Sequence, residues 1–211
     1  MDVLLNPDKF FSERKNIGYK MPLLIVLLAA ILGVLSVYFT VDLTIQKNFA
    51  EFGLKIDEGQ MGMLRGIALV FGSITAFAGV FIGWIIITAL LYAFSAIFGG
   101  KGNFSTLLKF TAFSYIPQII LTPITAYLTI ESLSQALAGA KLDLGTLIAP
   151  TIFGIVVLLW QYVYWVFAVK NARELNFNRS AISAGILVAI FIGFQAIGLL
   201  LSQMIPQQPI R

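Results

Sequence analysis

The sequence contains no cysteine and no histidine among its 211 residues. Without cysteine there is no disulfide, no thiol nucleophile and no haem attached through cysteine. Without histidine, the commonest general acid or base is missing, and so are zinc sites built from Cys and His ligands. The sequence therefore predicts no cofactor, no metal centre and no catalytic residue. It also gives no evidence about the redox state of the compartment.

Charged residues are scarce as well. They make up 11% of the chain, whereas hydrophobic residues make up 59%. Soluble domains carry about 25% charged residues, and a soluble protein of this composition would have too little polar surface to cover itself. The lipid bilayer is therefore the predicted environment. The net charge of +4 is small, and membrane topology explains it better than binding of nucleic acid does.

Five segments are long and apolar enough for transmembrane helices, which need about 20 apolar residues each. The predicted spans are residues 21–41, 63–98, 104–130, 144–169 and 181–205. They form a membrane domain over residues 21–205, preceded by a polar, amphipathic segment (1–20) and followed by a short tail (206–211). The predicted fold is an all-α, polytopic bundle of five transmembrane helices with an N-terminal interfacial helix.

Two of the spans have unusual features. The second is over thirty residues long, so it forms either one tilted helix or two short ones. Between Leu64 and Phe98 it has no proline and only one charge, Arg65, and a polar turn inside lipid would leave backbone groups unsatisfied. One continuous helix is therefore favoured. In the third span, Pro117 predicts a kink or a break, because proline removes a backbone donor and clashes with the preceding turn.

The polar segments on either side of the first span differ in pattern. In the N-terminal segment, Asn6 and Pro7 predict the start of a helix that lies on the membrane surface. Its basic side chains would face anionic headgroups. The side chains expected to face the membrane are those of Leu4, Leu5, Phe10 and Phe11. Between the first two spans, residues 42–60 alternate charged and apolar residues, which fits either a short interfacial helix or a solvated loop.

The distribution of basic residues predicts the orientation, because Lys and Arg concentrate on the cytoplasmic side of membrane proteins. With the N-terminus in the cytoplasm, nine basic residues lie inside and five outside, and the net charges are +5 and −1. The inner basic residues are Lys9, Arg14, Lys15, Lys20, Lys101, Lys109, Lys170, Arg173 and Arg179. The outer ones are Lys47, Lys55, Arg65, Lys141 and Arg211. We expect a multi-pass protein of the cell membrane with its C-terminus outside.

The predicted cores of the five spans contain no ionisable residue. Such residues usually mark ion paths, proton relays or catalysis, so their absence favours a protein that is not an enzyme. The remaining polar and kink-forming residues could line a small polar cavity. They are Ser114, Tyr115, Pro117, Gln118, Gln161, Tyr164 and Gln195. Hydrogen bonding between helices, worth about 0.6 kcal/mol on average, is the favoured interpretation of these groups.

Two sets of small residues are spaced for close packing of helices. Gly79 and Gly83 form a GxxxG motif, and Gly185, Ala189 and Gly193 form a longer stripe. Such faces let two helix backbones approach closely. Packing within this chain is the favoured interpretation of both sets, and packing against a second copy is the alternative. The predicted partners are the lipid bilayer and either a homo-oligomer or another membrane protein.

Four motifs follow one another along the chain: one before the first span, one after the second, one within the third and one at the end of the fourth. They are Asn6-Pro7-Asp8-Lys9-Phe10-Phe11, Gly99-Gly100-Lys101-Gly102-Asn103-Phe104, Phe113-Ser114-Tyr115-Ile116-Pro117 and Lys170-Asn171-Ala172-Arg173-Glu174. In this order and spacing they resemble the Yip1 domain family over nearly the whole chain. The resemblance implies a five-span bundle with a cytoplasmic N-terminus. Residues 99–102, taken alone, fit a short cytoplasmic turn better than a phosphate-binding loop, because the Gly-Lys-Ser or Gly-Lys-Thr ending is missing.

The eukaryotic members of that family act in vesicle traffic between the ER and the Golgi, where they associate with Rab GTPases and with one another. This chain lacks their long cytoplasmic tail and their Asp-Leu-Tyr-Gly-Pro motif, so the resemblance does not extend GTPase binding to it. It looks like a short, prokaryotic-type member. The predicted function is that of a non-enzymatic, Yip1-like membrane protein that organises or recruits partners. The alternative is a transporter or channel component for a small neutral or amphipathic solute.

Overall fold

The computed structural model describes residues 2–139 and 144–204, and no β-strand occurs in these two ranges. The helices are α1 (Asp2–Leu5), α2 (Pro7–Glu13), α3 (Lys20–Glu51), α4 (Glu58–Ile97), α5 (Phe104–Thr111), α6 (Ile116–Leu137), α7 (Leu144–Arg173) and α8 (Phe177–Met204). A 3₁₀ turn (Ala112–Tyr115) joins α5 to α6. The predicted tail (206–211) and two predicted outer basic residues, Lys141 and Arg211, lie outside the described residues.

Five units are long and apolar enough to cross a membrane: α3, α4, the α5–turn–α6 unit, α7 and α8. This confirms the predicted all-α membrane fold. In the bundle, α3 packs against α4 and α6, and α7 packs against α6 and α8. A further contact between α4 and α8 brings the second and last spans together.

The second span is one continuous helix of 40 residues, as the sequence predicted. A capping box fixes its start, with the backbone N–H of Gln60 donating to Asp57 Oδ1 at 2.8 Å and the backbone N–H of Asp57 donating to Gln60 Oε1 at 3.3 Å. Such a box provides acceptors for two backbone N–H groups that have no partner within the helix. At 1.5 Å per residue the helix is about 60 Å long, roughly twice the hydrocarbon thickness of a bilayer.

The first span also extends beyond its apolar stretch, and here the sequence interpretation was wrong. Residues 42–51 are neither a loop nor a separate interfacial helix, because α3 continues through them to Glu51. Ion pairs support this extension: Lys47 Nζ lies 3.2 Å from Glu51 Oε1, and Arg65 Nε lies 3.3 Å from Asp42 Oδ1, joining α3 to α4. The helix ends where Gly53 adopts a φ of +66°, a conformation that glycine adopts without strain.

The third span is broken, as Pro117 predicted. The α-helix α5 ends at Thr111, a 3₁₀ turn follows, and α6 begins at Ile116 with Pro117 in its first turn. Proline is tolerated at this position because the first backbone N–H groups of a helix have no intrahelical partner. The four residues of the turn are all buried, so the break lies inside the protein rather than in lipid.

Buried residues concentrate at one end of the bundle. This packed end consists of three stretches of the chain: α2 and the first part of α3 (7–30), the last part of α4 through the 3₁₀ turn (84–115), and the last part of α7 with the first part of α8 (164–187). By contrast, α4 has no buried residue before Trp84. Among the side chains described between positions 149 and 163 of α7, none is buried either. The described large apolar side chains in that half of α4 and α7 are exposed or half-buried, as expected of helices that face lipid.

The N-terminal segment belongs to the packed end, which corrects one prediction. Phe10 and Phe11 do not face the membrane: Phe10 is buried and Phe11 is 0% exposed. The ring of Phe11 lies 4.6 Å from that of Phe110, and the ring of Phe10 lies 4.9 Å from that of Phe113. The Phe11–Phe110 pair is tilted and the Phe10–Phe113 pair is edge-on, and aromatic pairs prefer such geometries to direct face-to-face stacking. Leu5 is 82% exposed, and the interfacial position of this segment stays a prediction.

The contact between α3 and α4 depends on small residues and gives the first testable prediction. A β-carbon placed on Gly72 would lie 3.0 Å from Val37 Cγ1, so Gly72→Leu overpacks this interface and lowers the free energy of unfolding by about 1–3 kcal/mol. The matched control is Gly66→Leu on the same helix, where a β-carbon meets nothing within 4 Å. Unfolding in mixed micelles of rising SDS content measures both variants. Equal stability of the two would contradict the close approach of α3 and α4.

Candidate functional site at the packed end

A buried arginine lies at the centre of the packed end. Arg173 is the last residue of α7 and is only 2% exposed. Its Nε donates to Ser95 Oγ at 3.0 Å, and its Nη2 donates to the carbonyl oxygen of Gly100 at 2.6 Å. The guanidinium also lies 3.9 Å from the centroid of the Tyr92 ring. Within the described part of the chain, no carboxylate lies within 4.0 Å of it.

Neutral partners and helix dipoles thus compensate a charge that is costly to bury. The carbonyl and hydroxyl oxygens accept charge-assisted hydrogen bonds, and the face of an aromatic ring attracts a cation. Arg173 also lies at the C-terminal end of α7 and close to that of α4. A positive charge is favourable near the end of a helix where carbonyl groups are exposed.

The glycine-rich segment after α4 packs its backbone directly against the end of α7. A β-carbon on Gly102 would lie 1.7 Å from the carbonyl oxygen of Ala172, and one on Gly100 would lie 2.9 Å from that of Ser95. The first contact is impossible and the second is too close, so the approach requires glycine at both positions. Only a residue without a side chain allows this separation.

This segment is the turn that the sequence predicted. The backbone N–H groups of Gly99, Gly100 and Lys101 donate to the carbonyl oxygens of Ala96, Ser95 and Arg173 at 2.9–3.0 Å. A phosphate-binding loop needs such amides free to point at the ligand. In this loop these amides are already used: those of Gly99 and Gly100 close the end of α4, and that of Lys101 joins the loop to α7.

The N-terminal segment is held on the same end by an ion pair. Lys170 Nζ donates to Asp8 Oδ2 at 2.6 Å, and Asn171 Nδ2 donates to Asp8 Oδ1 at 3.0 Å. Partial burial alone would raise the pKa of Asp8, but these two hydrogen bonds and the charge of Lys170 outweigh it and lower the pKa below 3.8. The carboxylate is therefore ionised at neutral pH. Farther along, the hydroxyl of Tyr164 donates to the carbonyl oxygen of Val3 at 2.9 Å.

A buried polar cluster joins α4 to α5 beneath these contacts. Trp84 Nε1 donates to the carbonyl oxygen of Leu108 at 2.9 Å, and the hydroxyl oxygens of Thr88 and Thr111 lie 2.6 Å apart. Each of these side chains has a partner in a different helix. Hydrogen bonds between helices are one of the main attractions in a membrane, where apolar burial contributes little.

The residues predicted to line a polar cavity differ in their surroundings. The hydroxyl of Ser114 donates to the carbonyl oxygen of Thr111 at 2.8 Å, and that of Tyr115 donates to the carbonyl oxygen of Val80 at 3.1 Å. The hydroxyl of Tyr164 donates to the carbonyl oxygen of Val3 in the N-terminal segment. Pro117 is buried, Gln118 and Gln161 are half-buried, and Gln195 is exposed on α8. Three of the seven thus bind backbone carbonyls, and whether the others share a cavity stays a prediction.

The small residues predicted for helix packing have different surroundings. A β-carbon on Gly83 would lie 3.7 Å from the hydroxyl of Tyr115, so this glycine packs within the chain. A β-carbon on Gly79, Gly185 or Gly193 would meet nothing within 4 Å. Ala189 is exposed as well. At both glycines of the α8 stripe, the position of a β-carbon thus has no described neighbour within 4 Å.

Sequence reasoning quoted all four motifs but missed that they meet. Asp8 of the first motif binds the fourth, Phe10 of the first contacts Phe113 of the third, and the glycines of the second lie on Ala172 of the fourth. The charge of Arg173 entered the sequence argument only through the orientation of the chain in the membrane, and the sequence did not predict that this residue is buried. One signal was available: the motif of Arg173 ends the fourth span, and the glycine-rich motif ends the second span on the same predicted side of the membrane.

The buried guanidinium gives the second testable prediction. Arg173→Met leaves Ser95 and Gly100 without their donor and lowers the free energy of unfolding by about 3 kcal/mol, since hydrogen bonds to charged groups contribute about 1.5–3 kcal/mol each. Arg173→Lys keeps the charge but loses the planar guanidinium group. We therefore expect it also to lower the free energy of unfolding, but by less than Arg173→Met does. SDS unfolding in mixed micelles measures both.

The matched control is Arg179→Met. Arg179 is exposed and makes one long hydrogen bond of 3.4 Å to the carbonyl oxygen of Phe98, so the expected change is within about 0.5 kcal/mol. Equal losses for Arg173→Met and Arg179→Met would rule out a special role for the buried guanidinium.

Comparison with known proteins identifies the family of the chain. The Yip1 domain model matches residues 1–199 of the chain. An uncharacterised protein of Methanocaldococcus jannaschii is 32% identical over 127 residues, which cover 59% of this chain and 84% of that protein. No solved structure matches the chain. Because the family match includes all four motifs and all five spanning helices, the chain belongs to the Yip1 domain family.

Proposed function

We propose that this protein is a non-enzymatic membrane scaffold, which organises or recruits partners through its lipid-facing helices. The observation that carries the proposal is the small-residue stripe on α8, where Ala189 and Gly193 are exposed and Gly185 is half-buried. No described atom lies within 4 Å of a β-carbon built on either glycine. Small residues let a second helix approach closely and gain dispersion contacts that lipid tails do not replace. The occupant is a transmembrane helix of a second copy or of another membrane protein.

The packed end supports this proposal by fixing the helix that carries the stripe. On α8, Ser180, Ser183, Ala184 and Leu187 are buried against the rest of the bundle. At 100° per residue, these positions lie on the side of the helix opposite Gly185, Ala189 and Gly193. The internal contacts therefore hold α8 in an orientation that presents the stripe to the membrane. A partner helix can dock there without any rearrangement of the bundle.

The alternative of a transporter or channel component has less support. A solute pathway requires polar groups that are free to contact the solute, and the hydroxyls of Ser114, Tyr115 and Tyr164 already donate to backbone carbonyls. A cavity of about 380 Å³ does occur, but it lies between α3 and α4 beside Phe49 and Met61. That position is at the helix ends rather than along the spans.

Co-purification from native membranes tests the scaffold proposal. We expect the full-length protein to retain itself or a reproducible membrane partner. The double variant Gly185→Leu/Gly193→Leu should lower that recovery by about tenfold, equivalent to about 1.4 kcal/mol. The matched control is Gly154→Leu on α7, another exposed glycine with nothing within 4 Å of a built β-carbon. No reproducible partner and no self-association would refute the proposal, as would an equal loss for the control.

We further propose that the packed end lies in the cytoplasm of a cell whose plasma membrane holds the protein, with the C-terminus outside. The surplus of basic residues at this end supports the orientation. The chain has no native cysteine, so single-cysteine variants report directly. In intact cells, a membrane-impermeant maleimide should label Lys55→Cys between α3 and α4, and should label Ser12→Cys in α2 only after permeabilisation. The reverse pattern would invert the topology.

A further inference from the structure

The charges at the packed end do not balance locally. Each carboxylate whose side chain is described there has a basic partner: Asp8 pairs with Lys170, Glu13 with Lys9 and Glu174 with Lys15, at 2.6–4.0 Å. In the described part of the chain, the other basic residues of this end have no carboxylate within 4.0 Å. They are Arg14, Lys20, Lys101, Lys109, Arg173 and Arg179. Arg173 is buried and compensated by neutral groups, so the other five leave the surface of this end with a surplus of positive charge, which attracts anions.

One part of this surface has a defined geometry, where α3 and α5 begin. Ser105 and Lys109 are four residues apart on α5 and therefore lie on one face of that helix. Tyr19 lies across this face: its hydroxyl is 2.8 Å from Ser105 Oγ, and its ring centroid is 5.5 Å from Lys109 Nζ. Lys20 follows Tyr19 directly and is exposed. Two ammonium groups and two hydroxyls are thus brought to the starts of neighbouring spanning helices.

The next residues of α3 are apolar and exposed. Met21, Leu23 and Leu24 are 44–59% exposed, immediately after the two polar residues at the start of this span. Cations and hydroxyls at a helix end, followed by an exposed apolar surface, match a phospholipid: a phosphate with acyl chains beneath it. A soluble phosphate compound would use the cations but would gain nothing from the apolar surface.

We propose that Tyr19, Lys20, Ser105 and Lys109 bind the headgroup of an anionic phospholipid, whose acyl chains lie along the first turns of α3. The ammonium groups of Lys20 and Lys109 neutralise the phosphate, and the hydroxyl of Ser105 or Tyr19 donates a hydrogen bond to it. Tyr19 keeps the Lys109 side chain directed toward the helix start through its ring face. This site is separate from the stripe on α8, so it does not depend on the proposed scaffold function.

Native mass spectrometry of the full-length protein released from micelles tests the site. Phosphatidylglycerol should stay bound in preference to phosphatidylcholine. The variant Lys20→Gln/Lys109→Gln should reduce phosphatidylglycerol binding by about tenfold or more, because each basic residue near the surface contributes to the attraction of anionic lipid. The matched control, Lys47→Gln/Lys55→Gln, removes two charges from the opposite end and should bind as the unmodified protein does.

Two further measurements decide between lipid, phosphate and loss of structure. Lys20→Arg/Lys109→Arg should retain binding, because it keeps both charges. Glycerol phosphate, which has the anionic group without acyl chains, should not displace the lipid at equal concentration. Each of four results would overturn the proposal. They are equal retention of the two lipids, an equal loss of binding in the control variant, loss of binding in the arginine variant, and displacement of the lipid by glycerol phosphate.

Discussion

The guanidinium of Arg173 has to find its acceptors inside the protein, because it is 2% exposed and no described carboxylate lies near it. That requirement constrains three elements together. The end of α4 supplies Ser95 and the ring of Tyr92, the glycine loop supplies the carbonyl oxygen of Gly100, and α7 supplies the arginine itself. The loop can reach this position only because Gly102 lies against the backbone of Ala172 without a side chain. A change in any one of them disturbs the acceptors of a buried charge, which is costly.

The packed end and the rest of the bundle are therefore held by different forces. In a membrane, burying one apolar side chain against another gains little over lipid contact, so association of helices depends on dispersion and hydrogen bonds. The packed end has both, from the aromatic cluster around Phe11 to the contacts of Trp84, Thr88 and Thr111. Farther along α4 and α7 the described side chains are exposed or half-buried. There, α4 is held to α3 by the close approach of Gly72 to the Val37 side chain and by the ion pair of Arg65 with Asp42.

The elements that the sequence predicted correctly depend on local composition. The five spans follow from apolar runs, the break follows from Pro117, and the turn at residues 99–102 follows from its glycines. The pattern around Phe10 and Phe11 predicts a helix on the membrane surface, and the prediction was wrong for these two side chains. In the sequence, an apolar face on a basic helix has the same pattern whether lipid or protein covers it. The helix was expected to stop at Asp42 because charge ends an apolar run. Charge does not end a helix: α3 continues to Glu51, just before Gly53, where the backbone φ turns positive.

The candidate site could not be predicted in the same way, because its contacts join distant parts of the chain. Asp8 and Lys170 are 162 residues apart, and Ser95 and Arg173 are 78 apart. A count of basic residues by membrane side treats Arg173 and Lys20 alike, although one is buried and the other exposed. Burial separates the two roles: a buried arginine needs its partners in the protein, whereas an exposed lysine at a span end is free to bind an anion from outside.

The same distinction limits what family membership says about function. The four motifs that carry the resemblance are used almost entirely to hold the packed end together, through Asp8, Phe10, Gly102 and Arg173. A match to these motifs therefore reports the fold. Residues that choose a lipid or a partner helix must instead lie where the chain's own contacts end, at the start of α3 and along the outward face of α8. Both proposed interactions lie there, outside the contacts that define the fold.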